Sequence, residues 1–258
     1  MTYTDVFKRK EVKYLLDAEQ FAVICAGLAE HMEIDAYGRS LISSMYYDTP
    51  NCDLICRSLE KPLYKEKLRL RTYGQRVTEA TDAEAFLEIK KKYKGIVYKR
   101  RVCISTDAAR TFMGGKLYEQ AVAAHPLPDP EKDAASTSPR SLQIAAELRQ
   151  FINAYAPLRP SIMINVERTA WALREGEPGD LRITFDEDVR YRNMMQVGTA
   201  EHPLLETGQV IMEIKSCQAM PLWLVRLLNQ TQAYPTSFSK YGEAYKTVRA
   251  ASAFAQAS

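Results

Sequence analysis

The sequence predicts an α+β fold: a closed eight-stranded antiparallel β-barrel with flanking helices, formed by residues 1–258 as a single domain. Three observations lead there. Segments of strand length alternate charged and apolar residues with period two, as a strand with one buried face must. The charged parity is unusually rich in Lys and Arg, and it recurs on six segments. Helical patterns are few, and they lack the wide apolar stripes that would cover a conventional sheet core.

The elements follow in order. The first strand, about 6–14, places Arg9, Glu11 and Lys13 of "FKRKEVKYLL" on one face. Asp17 and Gln20 form a capping box ahead of the helix "AEQFAVICAGLAEHM". A strand over 41–48 precedes "KEKLRLRTYG", a strand over 64–74 whose Lys65, Lys67, Arg69 and Arg71 oppose Leu68 and Leu70. Over 84–92, Glu84, Glu88, Lys90 and Lys92 oppose Leu87 and Ile89. Over 95–104, Lys99 and Arg101 share a face, although Arg100 interrupts the alternation. Asp107 opens a weaker helix that Gly114 and Gly115 interrupt, and residues 125–140, rich in Pro and Ser, read as a loop. A helix through "SLQIAAELRQFINAYA" leads to strands over 161–173, 181–190 and 209–217, and two helices occupy the last forty residues. On the last two strands, Arg182, Thr184, Asp186, Asp188 and Arg190 oppose Leu181, Ile183, Phe185 and Val189, and Glu213 and Lys215 oppose Met212 and Ile214.

The charged parity has two readings. An antiparallel sheet with one face in water produces the same alternation. A barrel whose apolar parity lies outward under helices would instead line its interior with the charges. Cations packed so densely are costly when dry and unpaired, and they become sensible when a polyanion occupies the space. Arg suits bidentate contacts to phosphate and Lys suits point-charge contacts. The interspersed carboxylates would hold a hard divalent cation, Mg²⁺ or Mn²⁺, against phosphate oxygens.

Composition narrows the classes. A net charge of +3 marks no general nucleic-acid binder, and an open basic surface with aromatic platforms is not evident. Cys25, Cys52, Cys56, Cys103 and Cys217 are scattered and lack a zinc pattern, so they read as reduced thiols of a cytoplasmic protein. The start "MTYTDVFKRK" lacks the apolar run of a signal peptide, and no apolar stretch of membrane-spanning length is present. His31, His125 and His202 are isolated, and Trp171 and Trp223 read as packing residues.

Eight motifs in this order, "FKRKEVKYLL", "SMYYDTP", "KLRLRTYG", "FLEIKKKYKGIVYKRR", "NVERTAWAL", "LRITFDEDV", "VIMEIKS" and "SFSKYGEAY", resemble the VTC domain of polyphosphate polymerases, within the triphosphate tunnel metalloenzyme (CYTH-like) superfamily, over roughly residues 6–247. The resemblance implies a closed eight-stranded tunnel that binds a triphosphate. It implies an enzyme that transfers the terminal phosphate of ATP to a polyphosphate chain with Mg²⁺ or Mn²⁺. Carried over motif by motif, phosphate would be bound by Lys13, Arg69, Arg71, Lys90, Lys99, Arg168, Arg182 and Lys240, with Lys67, Arg101 and Lys215 on the same faces. Lys13, Arg69, Arg71, Lys90, Arg182 and Lys240 would form the catalytic set. Glu213 matches the family's metal-binding glutamate, with Glu88 or Glu11 beside it; its plainer reading is an ion pair with a neighbouring Lys. Lys240 likewise has a plain reading as a solvated helix residue. Tyr47 and Asp48 match a strand end of unassigned role.

The triphosphatases of the superfamily begin with Glu-x-Glu-x-Lys, where this chain has Arg9, Glu11 and Lys13. The missing carboxylate counts against a metal-dependent tripolyphosphatase or nucleoside triphosphatase. A non-catalytic polyphosphate-binding module is the other alternative. The expected partners are ATP or another triphosphate and polyphosphate, without nucleic acid or direct membrane insertion, and with room for a separate membrane partner.

Overall fold

The computed structural model describes residues 10–94 and 96–257, so Arg9 lies outside the described residues. Two compact units emerge from the chain contacts: Met1–Ser40 with Val166–Arg190 and Pro203–Ser239, and Leu41–Asn165 with Tyr191–His202 and Lys240–Ser258.

The first unit contains β1 (Lys10–Leu16), α1 (Ala18–Leu28), the start of β2 (Met32–Asp48), the end of β6 (Arg159–Leu173), most of β7 (Arg182–Asn193), β9 (Val210–Ser216), α7 (Leu222–Gln230) and β10 (Pro235–Thr236). The capping box of α1 forms as the sequence predicts: Gln20 N–H donates to Asp17 Oδ1 at 2.8 Å, and the Asp17 N–H donates to Gln20 Oε1 at 3.1 Å. The apolar parity of the strands packs with both helices. Leu16, Ile183, Phe185, Met212, Ile24, Leu28 and Leu224 are fully buried together. Each such side chain contributes about 1.5–3 kcal/mol.

In the second unit, the rest of β2 leads through α2 (Asp53–Leu59) to β3 (Tyr64–Tyr73), β4 (Glu84–Tyr93) and β5 (Ile96–Ser105). Four helices follow: α3 (Thr106–Met113), α4 (Tyr118–Ala124), α5 (Pro130–Ser136) and α6 (Pro139–Ala154); α8 (Lys240–Ala257) closes the chain. Leu68, Leu70, Leu87, Ile89, Val102 and Ile104 form one core with Phe112 of α3, Ala121 of α4 and Leu148 of α6. The apolar parity therefore lies under helices, and the cationic parity faces the other way.

All eight expected strands are present, but four parts of the sequence-based fold need correction. Among the described residues the sheet has ten strands, in the hydrogen-bonded order β10-β1-β9-β7-β6-β2-β3-β4-β5, with β8 (His202–Pro203) beside β7. It is open, not a closed barrel: among the described residues the order ends at β10 and β5. Edge strand β5 is blunted by exposed Lys99 and Arg101, and charge on an edge discourages further pairing. The additional strands β8 and β10 have two residues each, too short to show a period. Strand β2 begins at Met32, not near 41: Met32, Ile34 and Ala36 alternate with Glu33 and Asp35, and the strand runs on through Gly38 at φ +57°, where the alternation breaks. Residues 130–136, expected as loop, form α5: Asp129 accepts from the N–H groups of Glu131 and Lys132, and Pro130 occupies the first turn, where its missing N–H costs nothing.

Candidate functional site

Antiparallel register turns the cationic parity of β3, β4 and β5 into rows. Tyr46, Arg69, Glu88 and Arg101 form one row, Lys67, Lys90 and Lys99 the next, and Ser44 pairs with Arg71. Glu88 is the hub. Its side chain is 1% exposed; Arg69 Nε donates to its Oε2 at 2.6 Å, and Arg101 and Lys99 stand 3.8 and 4.0 Å from its Oε1. That Oε1 accepts no hydrogen bond. Burial pushes the Glu88 pKa up, but Arg69, Arg71 and Lys99 outweigh it and hold the carboxyl below its ordinary value. Arg71 donates through Nε to Ser44 Oγ at 3.0 Å, and burial with Arg69 beside it lowers its pKa. Lys99, partly exposed, is lowered too, by partial desolvation and by Arg101, Arg69 and Arg71, against the pull of Glu88.

At the strand end of "SMYYDTP", Asp48 is structural. It accepts from the N–H groups of Thr49, Leu54 and Ile55 at 2.9–3.0 Å and from the Tyr241 hydroxyl at 2.7 Å. This ties β2 to the start of α2 and to α8. Tyr47 belongs to the core. Lys240 begins α8, one residue before Tyr241, and is half-buried.

The first unit holds a second cluster, built on β1, β9 and β7. Lys13 pairs with Glu213 and Glu213 with Thr184; Glu11 pairs with Lys215 and Lys215 with Arg182. Glu213, 8% exposed, receives Lys13 Nζ at 2.8 Å, Lys215 Nζ at 3.3 Å and Arg168 Nη2 at 3.8 Å. Glu11 lies 3.6 Å from Lys13. Burial alone would lower the Lys13 pKa, but Glu213 and Glu11 carry it above the ordinary value. Lys215 goes the other way, because burial prevails over the same carboxylates. Arg168 grips the fully buried Asp186 with two nitrogens, and Arg182 donates to Asp35 at 2.7 Å.

Most of the proposed cations thus fall into two groups, each inside its own unit, one around Glu88 and one around Glu213; Arg182 meets Asp35 instead, and Lys240 stands at the start of α8. Residues 8–249 match the VTC domain. The chain belongs to the VTC-domain family. This VTC domain is 24% identical, over 283 residues, to subunit 4 of the vacuolar transporter chaperone complex of Trypanosoma brucei brucei. The alignment takes in 95% of the chain but 35% of that relative, so the VTC domain spans about a third of its length. Among solved structures, it is similar to a candidate adenylate cyclase of Vibrio parahaemolyticus, with a TM-score of 0.45 and 11% identity over 92% of this chain and 97% of that one. A candidate adenylyl cyclase of Hippeastrum, described as having a dominant triphosphatase activity, aligns with a TM-score of 0.45 and 13% identity over 90% and 92% of the two chains.

The fit of a divalent ion follows from the donors. Among the described residues no three His, Cys, Asp or Glu converge as a metal-holding group. The described residues therefore supply no cage of the kind that holds structural zinc. One or two carboxylates suffice for Mg²⁺ or Mn²⁺ when phosphate oxygens and waters complete the shell. Glu213 and Glu11, both beside Lys13 Nζ, suit that arrangement.

Sequence reasoning missed Tyr46, Ser44, Tyr241 and Asp35, which contact the cations. Tyr46 shares a face with Arg69 only through the β2–β3 register, which no single-strand period reveals. Among the described residues no cysteine is joined in a disulfide. Among the described residues no helix is long and apolar enough to cross a membrane.

Proposed function

We propose that this VTC domain is a polyphosphate polymerase, transferring the terminal phosphate of ATP to the end of a polyphosphate chain. One observation carries the reading: Lys67, Arg69, Arg71, Lys90, Lys99 and Arg101 share a face of β3–β5 on which Glu88 is the central carboxylate. Such a surplus of positive charge suits a chain with one negative charge on every phosphate. Family membership and the resemblance to polyphosphate polymerases support the same substrate class.

Phosphoryl transfer needs positioning and charge neutralisation more than covalent help. In this reading Arg69 and Arg71 make forked contacts to non-bridging oxygens, while Lys90 and Lys67 follow the chain as point charges. Glu88 fixes Arg69 through its Nε and Tyr46 meets its Nη1, leaving Nη2 to turn to the ligand. Lys13, Arg168, Arg182 and Lys215 neutralise phosphate oxygens at the second cluster, and Lys240 at the start of α8. Glu213 and Glu11 would hold Mg²⁺ or Mn²⁺, which when bound offsets charge on the β- and γ-phosphate oxygens. The γ-phosphorus to bridging-oxygen bond breaks, ADP leaves, and a terminal oxygen of the acceptor chain forms the new bond. ATP and polyphosphate are the proposed partners, with any membrane contact supplied by a separate protein.

The test is incubation of the purified protein with ATP and Mn²⁺, with gel staining for polyphosphate and assays for ADP and free phosphate. Chains with equivalent ADP are expected. Free phosphate without chains would replace the polymerase with a triphosphatase; neither product, with polyphosphate retained, would leave a binding module.

Arg71→Ala isolates the basic face cleanly, because its side-chain partner Ser44 is neutral and no buried carboxylate is stranded. Loss of a charged hydrogen bond costs about 1.5–3 kcal/mol. Polyphosphate affinity is expected to fall about tenfold to hundredfold, measured by calorimetry, with little change in melting temperature.

A further inference from the structure

Tyr46 is the one phenol set into the row of Arg69 and Glu88. Its ring stacks on Tyr241, with centroids 4.4 Å apart and planes 11° apart. The hydroxyl of Tyr241 is already engaged by Asp48 and Ser161. The Tyr46 oxygen instead faces Arg69 Nη1, which donates to it at 3.4 Å. A guanidinium only donates, so this contact makes no use of the phenol proton.

The charged groups around that oxygen come from several elements. From β3 it meets Arg69, with Arg71 and Lys67 flanking; Lys67 Nζ lies 5.6 Å from the centroid of the stacked Tyr241 ring. From β4 comes Glu88, whose Oε2 is taken by Arg69 Nε, with Lys99 and Arg101 of β5 behind it. From α8 comes Tyr241, kept neutral by burial and the adjacent Asp48, with Lys240 preceding it. Burial opposes ionisation of Tyr46, but Arg69, Arg71 and Lys67 prevail and bring its pKa down to about 7.

We propose that Tyr46 is a proton-exchanging counter-ion of the basic face, phenolate when the face is free and phenol when a phosphate chain lies on Arg69, Arg71 and Lys67. The proton comes from solvent, and only the O–H bond at Tyr46 forms. This rests on the reading above, in which that face takes phosphate. A chain bound there brings its own negative charge against the same cations, removing what stabilised the phenolate. The hydroxyl can then donate to a non-bridging oxygen.

The sign follows from linkage. Above pH 7 the free protein holds phenolate, and binding must take up a proton, so affinity falls as pH rises, by about tenfold per unit until the bound-state value is reached. Below about pH 6 the phenol is already protonated and affinity is flat. Tyr46→Phe retains the ring stack and lacks the titrating oxygen.

The experiment uses medium-chain polyphosphate, whose interior groups do not titrate near neutrality. Calorimetry in two buffers of different ionisation enthalpy at pH 8 counts protons, and near-ultraviolet tyrosinate absorption follows the phenolate. Wild type is expected to take up close to one proton and lose tyrosinate absorption on binding. Tyr46→Phe is expected to do neither, and its affinity relative to wild type is expected to rise about tenfold between pH 6 and pH 8. Equal proton counts in both proteins would overturn the role of Tyr46 while leaving the phosphate reading standing. Absence of polyphosphate binding in wild type would overturn both. A spectroscopic titration without ligand guards against a folding artefact: wild type must show one tyrosine ionising near neutrality that the variant lacks.

Discussion

Glu213→Gln is expected to lower ATP-dependent chain synthesis by about 10²–10³-fold, the scale on which enzymes lose rate when one preorganised charge is removed from a reacting centre. The substitution keeps shape and removes charge from a carboxylate that Lys13, Lys215 and Arg168 surround. Two consequences separate a metal-holding role from a plain ion pair. If Glu213 holds a divalent ion, the apparent Mn²⁺ affinity for turnover falls along with the rate, and excess Mn²⁺ recovers part of it. If Glu213 only neutralises lysines, melting temperature falls while kcat at saturating Mn²⁺ stays near wild type. Full metal-dependent turnover in the variant would remove Glu213 from the chemistry. Activity is read as ADP release across an Mn²⁺ titration, beside thermal unfolding.

The contrast between Glu213 and Glu88 shows what period and composition could and could not say. Alternation alone put Arg69, Arg71, Glu88 and Lys90 on one parity and the leucines on the other, and helices α3, α4 and α6 do cover the leucine side. The cross-strand pairs themselves, Glu88 with Arg69, Arg101 and Lys99, come from the register of β3, β4 and β5, which alternation within one strand does not give. Closure was not legible, because whether two edge strands meet is decided by register and curvature summed over the sheet. Helix α5 was hidden because a helix of seven residues set by one Asp cap and one Pro shows no apolar period. The motif "SMYYDTP" drew attention to Tyr47 and Asp48, yet the tyrosine on the cationic face is Tyr46. Asp35 as the partner of Arg182 lies 147 positions away in sequence, beyond any local pattern.

Breaking the Arg168–Asp186 pair is expected to be the largest single blow to stability. Asp186 is 0% exposed and Arg168 is 17% exposed, and two guanidinium nitrogens meet the two carboxylate oxygens. Removing one member strands a charge away from water, a loss of about 3–5 kcal/mol. For a chain of this size each kcal/mol corresponds to roughly 2–4 °C. Asp186→Ala should therefore lower the melting temperature by roughly 10 °C, measured by calorimetry. Replacing both members, Arg168→Met with Asp186→Leu, removes the stranded charge and should recover most of that loss, since apolar isosteres often match a buried ion pair. Function is expected to part from stability here. Arg168 also reaches to 3.8 Å from Glu213, so the grip of Asp186 sets where its positive charge sits. The recovered double variant should melt near wild type yet bind polyphosphate more weakly. If the double variant keeps wild-type affinity, Arg168 is a structural cation and the phosphate contacts of the first unit rest on Lys13, Lys215 and Arg182.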